Sequence, residues 1–309
     1  MSEINESKVY ITRCSFWCLS DIKELSDVDN LLAKFDEIYK DFRRSKNIKI
    51  ECSSDLTDKV VNLTSIQDDL LQLANDDYSV FSYYLSLFDK CFSEYVLYNN
   101  SETIDYIINN QKSSDYMRKY VLVIDRDIHF FTNVNAENYT SSWSETLNLN
   151  SSYIIKSKGD DEFVEWSKCN YEYLTFHPEI LKTIRTIKIG CLNDYKEIIS
   201  HALNSLNQSY FIISEDPNKN EEDLTVISSL TGSIGRTLPC SRQGKNKVEF
   251  EFPNKGIINC EYHLKINVND KNIAIPHGKG NPIRIYFGLK SYNNENKKKI
   301  MVAHIGKHL

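Results

Sequence analysis

From Lys247 onward the hydrophobic period of this chain changes from 3.6 to two, and that change limits what the closing segment can become. Val248, Phe250 and Phe252 alternate with Glu249 and Glu251; Ile258, Cys260, Tyr262, Leu264, Ile266 and Val268 alternate with Asn259, Glu261, His263, Lys265 and Asn267. Ile283, Ile285, Phe287 and Leu289 alternate with Arg284, Tyr286 and Gly288, and Lys299 to Ile305 closes the set. A strand sends successive side chains to opposite faces, so this pattern specifies an antiparallel sheet with one apolar and one polar side.

Upstream the spacing is helical. From Val28, apolar residues at Leu31, Leu32, Phe35, Ile38, Tyr39 and Phe42 form one face,. Further helices are expected over about 57–75, 78–98, 102–110, 163–174, 178–189 and 193–206, with strands at Val9–Trp17 and Ile48–Cys52. Tyr120–Asp125 and Ile128–Thr132, joined by Asp125-Arg126-Asp127, predict a hairpin,. The Asn/Ser-rich stretch 133–152 reads as a linker, and 217–223 and 232–247 as polar loops. The expected fold is therefore α+β, in two domains. Residues 1–150 form a mainly helical domain with a β-hairpin, and 151–309 form a domain of helices packed on an antiparallel sheet.

Charge divides the chain as well, at a later point. Residues 236–309 hold 14 Lys+Arg against 5 Asp+Glu, a formal +9, whereas the first 235 residues hold 23 against 38, a formal −15. A basic segment that also carries four of the seven histidines is the footprint of a phosphate-gripping surface, so RNA or single-stranded nucleic acid is the expected partner,. The acidic part is the place for a protein partner. An apolar content of 41% argues for folded domains, and no apolar run approaches the ~18–20 residues of a membrane helix,. The start lacks the layout of a secretory signal, so no membrane is expected and the expected location is cytoplasmic. The cysteines are scattered, and Cys14 and Cys18 have no second Cys/His pair to complete a zinc site, so neither metal nor cofactor is expected,.

The alternation puts Glu261, His263 and Lys265 on one strand face and Arg284 and Tyr286 on the polar face of the next; His304, Lys307 and His308 follow on the last strand. Together these supply a base, cations and a phenol able to move protons and stabilise a pentavalent phosphorane without metal. Arg236, Arg242, Lys245, Lys247 and Lys307 are the expected backbone-binding cations. Of the two loops, Gly232-Ser-Ile-Gly-Arg-Thr lacks the Gly-Lys-Ser/Thr ending of a nucleotide-binding loop,. A metal-dependent alternative would assemble Asp125, Glu249, Glu251 and Lys265.

The run CEYHLKINV, a loop, IRIYFGLK, an Asn/Lys turn and KKIMVAHIGKHL resembles the terminal strands of the RelE/ParE/HigB toxin superfamily, in which an Arg-x-Tyr strand leads to a final strand ending in His, Gly and Lys. The resemblance covers about residues 247–309. It implies helices packed on the sheet and a metal-independent, toxin-like endoribonuclease of a bacterial growth-control or antiphage system, with His263, Lys265, Arg284, Tyr286 and His304 as catalytic positions. A non-catalytic nucleic-acid sensor or adaptor subunit of a defence complex is the alternative. The chain departs from the family in its length, its 207–246 insertion and its acidic N-terminal half.

Overall fold

The computed structural model describes residues 7–16, 23–60, 63–112, 118–124, 134–243, 248–278, 281–291 and 297–309. The chain is α+β and divides into two compact units, Met1–Thr146 and Leu147–Leu309.

Unit 1 contains β1 (Ser7–Ile11), α1 (Leu25–Phe42), β2 (Ile48–Cys52), α2 (Ile66–Leu73), α3 (Tyr78–Phe92), α4 (Ser101–Asn109), β3 (Lys119–Leu122) and β4 (Tyr139–Thr140). The strands lie in the order β2-β1-β3-β4, all parallel. α1 buries Val28, Leu31, Phe35 and Phe42, the stripe its spacing predicts, and a capping box between Glu24 and Asp27 starts it,. α2 begins at Ile66, later than expected, because Ser65 and Asp68 form its capping box. The sheet is parallel because each link from β1 to β2 and from β2 to β3 runs through helix, and a parallel neighbour requires such a crossover,. Within the expected hairpin only the first arm is described; it is β3, which pairs in parallel with β1 and β4, while residues 125–133 lie outside the described residues.

The stretch expected to be a linker is instead β4 followed by α5 (Trp143–Ile154). Its Asn and Ser residues conceal a helix whose Trp143, Leu147 and Ile154 are buried, with Ser142 Oγ accepting from the Glu145 N–H at 3.1 Å,.

Unit 2 continues with α6 (Asp160–Asn170), β5 (Leu174–Phe176), α7 (Ile180–Ile184), α8 (Lys196–Ser209), α9 (Asn220–Ser233), β6 (Cys240–Arg242), β7 (Glu249–Phe252), β8 (Gly256–Asn259), β9 (Tyr262–Ile266), β10 (Ile283–Lys290) and β11 (Lys299–Lys307). The main sheet runs β5-β11-β10-β9-β6 and is antiparallel apart from β5, which lies parallel to β11. The long strand expected across Ile258–Val268 breaks at Cys260-Glu261, so β8 pairs with β7 in a separate hairpin while β9 joins the main sheet.

Two helical expectations are corrected. The helix expected over 178–189 stops at Ile184, where a run rich in β-branched residues takes over and its hydroxyls serve another role,. Thr183 Oγ1 accepts from Ile305 N and Thr186 Oγ1 from Lys307 N, both at 3.1 Å, so this turn satisfies the end of β11 that β5 is too short to reach,. α9 begins and ends in ground expected to be loop, at 220–223 and 232–233; its buried positions include Asp223 and Thr231, so its apolar stripe is weak. Asp223 is buried because Lys298 Nζ, itself fully buried, lies 2.6 Å from its carboxylate.

Candidate active site on the C-terminal sheet

Register decides which side chains meet. Ser241 lies opposite His263, His263 opposite Tyr286 and Tyr286 opposite His304, so one row crosses β6, β9, β10 and β11 on a single face. Directly facing residues on neighbouring strands are within side-chain reach. Ring centroids are 5.1 Å apart for His263 and Tyr286 and 5.7 Å for Tyr286 and His304. The next rung places Arg284 opposite Lys265. All five residues expected to be catalytic therefore share one face.

His304 reaches it through a bulge. Strict alternation would send His304 to the side of Ile300 and Val302, but Tyr286 pairs with His304 while Phe287 pairs with Val302, leaving Ala303 as the extra residue,. The insertion flips every β11 position beyond it.

The polar face was expected to be solvated; here it is covered. His263 and His304 are each 3% exposed, Arg284 is 8% and Tyr286 is 0%. At one end of the face the β7–β8 hairpin packs Phe252, Ile258 and Cys260 on Met301 and Ala303. Gly288 permits that approach, since a Cβ there would stand 2.7 Å from the Asn259 carbonyl oxygen. At the other end the chain folds back. Leu309 N–H donates to Tyr286 Oη at 3.2 Å, and Tyr286 Oη donates to Gln243 Oε1 at 3.3 Å. The His308 ring sits 6.1 Å from His263 and 6.3 Å from Tyr286.

Burial sets the protonation states. His263 is pushed down to about 4, first by desolvation and then by the positive charges of Arg284, Lys265 and His308, with the Glu261 carbonyl opposing,. His304 is also pushed down to about 4, mainly by desolvation. Both imidazoles are neutral at pH 7. His304 Nε2 faces the Lys307 carbonyl at 2.8 Å and so carries the proton, while His263 Nε2 lies 3.2 Å from Ser241 Oγ and His263 Nδ1 has no well-formed hydrogen bond,. Burial raises the Tyr286 phenol and lowers Arg284.

The other expected residues fare differently. Glu261 is committed to Arg242, with Nε and Oε2 3.0 Å apart, and Arg242 also reaches Glu221 of α9 at 3.3 Å; this cation is partly neutralised within its own unit. Arg236 lies off the row, its main chain bonded to His201 of α8. Lys307 holds His304 by its carbonyl. Lys245 and Lys247 lie outside the described residues. Glu249 and Glu251 stand on β7, in a different sheet from Lys265, and Asp125 is outside the described residues. Among the described residues no group of three His, Cys, Asp or Glu could hold a metal. Sequence reasoning missed Ser241 and Gln243, which lie on and just after a three-residue strand too short to show a period.

No protein-family model, curated protein or solved structure matches this chain.

Proposed function

We propose that unit 2 acts on nucleic acid, as a toxin-like, metal-independent endoribonuclease of a bacterial growth-control or antiphage system. The observation that supports it most is the in-register row Ser241, His263, Tyr286, His304 beside the Arg284–Lys265 rung. A neutral imidazole has its lone pair free at pH 7, and His263 Nε2 lies 3.2 Å from Ser241 Oγ, where a ribose 2′-OH would enter,. RNA is favoured over DNA because that hydroxyl is an internal nucleophile. In this mechanism His263 removes the 2′-OH proton, Arg284 and Lys265 stabilise the phosphorane, and His308 protonates the leaving 5′-oxygen. Substrate reaches the row by displacing Leu309 from Tyr286 Oη. Charge accords with this division of labour: residues 1–146 hold 15 Lys+Arg against 25 Asp+Glu, a formal −10, and residues 147–309 hold 22 against 18, a formal +4. The acidic unit is then the docking surface for a protein partner, and the setting is the cytoplasm.

Burial of the row favours a second reading, in which the unit binds nucleic acid through its exposed cations without cleaving it, as the sensing or adaptor subunit of a defence complex. One experiment separates the two. Purified protein is incubated with RNA, single-stranded DNA and duplex DNA, with and without EDTA, alongside His263→Ala and Arg284→Ala. RNA cleavage that survives EDTA and disappears in both variants supports the first reading. Salt-sensitive binding without cleavage supports the second, and cleavage abolished by EDTA refutes the metal-independent mechanism.

A further inference from the structure

Arg284 poses an electrostatic problem that the described residues do not solve. The residue is 8% exposed, yet among the described residues its side chain meets only the neutral Asn267 Oδ1 at 3.2 Å and its own strand's Ile283 carbonyl at 2.8 Å, and its Nε is buried without a partner. The residue opposite it in register is Lys265, half-buried and likewise without an acid among the described residues. Glu261, two residues before His263, is taken by Arg242. A buried cation without a counter-charge costs several kcal/mol, which is why buried charges in proteins are almost always paired. Two other buried cations of this chain have an acid beside them, Lys298 with Asp223 and Arg13 with Asp69.

We infer that the Arg284–Lys265 rung, with the neighbouring imidazole of His263, is a binding site for a single phosphate-class oxyanion, taken up by the resting protein. This deepens the proposed function by naming the group the site grips, and it is tested by binding rather than by cleavage. The chemistry fits the donors. Arg284 Nε–H is buried without a partner, Lys265 supplies a second charge, and the His263 imidazole lies beside both,. The groups facing His263 are Arg284 and Lys265 from β10 and β9, His308 and Tyr286 around its ring, Ser241 from β6 and the Glu261 carbonyl; three of these are cations or potential cations that keep it neutral. An oxyanion among them reverses that field. Its arrival raises the proton affinity of His263, which strengthens this residue as the base of the proposed cleavage.

The test is thermal unfolding of the full chain in inorganic phosphate against chloride at matched ionic strength. At ten times the dissociation constant, one site raises the transition of a unit this size by roughly 3–5 °C. Arg284→Met is expected to abolish that shift while leaving the transition in chloride unchanged or higher, since it removes an uncompensated charge. Lys265→Met, at a half-exposed position, is expected to weaken the response at least tenfold and keeps the test decisive if the first variant folds poorly. Imidazole proton NMR is expected to show the titration of His263 moving upward on phosphate addition. Short RNAs ending in 3′-phosphate or 3′-hydroxyl distinguish the sources: a response to the first alone assigns nucleic-acid phosphate, and a response to inorganic phosphate alone assigns the free ion. Equal transitions in phosphate and chloride, or a phosphate shift that survives in both variants, would overturn the site. A retained shift in protein that cleaves no RNA sinks only the nuclease reading.

Discussion

Two buried neutral histidines on one face should make unit 2 sensitive to mild acid. His263 and His304 are held near 4 in the folded chain, against an ordinary value of 6.5. Unfolded chain therefore binds protons that folded chain refuses, and stability is fully present above pH 6.5 and is lost as pH falls through 4. Between pH 7.5 and pH 5 each imidazole accounts for a loss of about 2 kcal/mol, so the pair removes about 4 kcal/mol from a stability of about 5–15 kcal/mol. Urea unfolding followed at both pH values measures the loss. His263→Gln and His304→Gln, which cannot titrate, should each remove about half of it, whatever their effect at pH 7.5. Carboxylates that titrate in the same range are common to all the proteins and cancel in the comparison. If wild type and both variants lose the same stability, or if imidazole NMR shows either residue titrating near 6.5, the row is not desolvated and a neutral base at this position has no basis.

Two further outcomes follow from packing. Lys298→Met leaves Asp223 charged and buried, and chemical denaturation should show a loss of about 3–5 kcal/mol; adding Asp223→Leu should recover most of it, because an apolar pair of similar volume can replace a buried ion pair,. Gly288→Ala drives a methyl into the Asn259 carbonyl and Ile258, so a loss of at least about 1–3 kcal/mol is expected from the same assay, whereas Gly256→Ala meets no atom within 4 Å and should show only the smaller cost of its positive φ,.

The alternation after Lys247 was enough to place the strands of the basic segment and to put His263, Lys265, Arg284 and Tyr286 on common faces, because a period of two follows from strand geometry alone. The stripe of α1 was legible for the same reason. Charge asymmetry between the two parts of the chain is likewise a property of composition. Tertiary structure decided the rest. The Ala303 bulge, which brings His304 to Tyr286, leaves no trace in a hydrophobicity pattern, since one extra residue in a ladder is defined only by its partner strand. α5 and α9 were hidden because their buried positions include Ser, Asn, Asp and Thr, whose burial depends on partners distant in sequence such as Lys298 for Asp223. Whether the polar face meets water was equally undetermined by period. The cover comes from the β7–β8 hairpin and from Gln243, His308 and Leu309, brought over the face by chain reversal. Local pattern specifies which side of a strand a residue occupies, but only the packing of remote segments determines what lies against that side, and so whether a histidine there is a solvated cation or a buried neutral base.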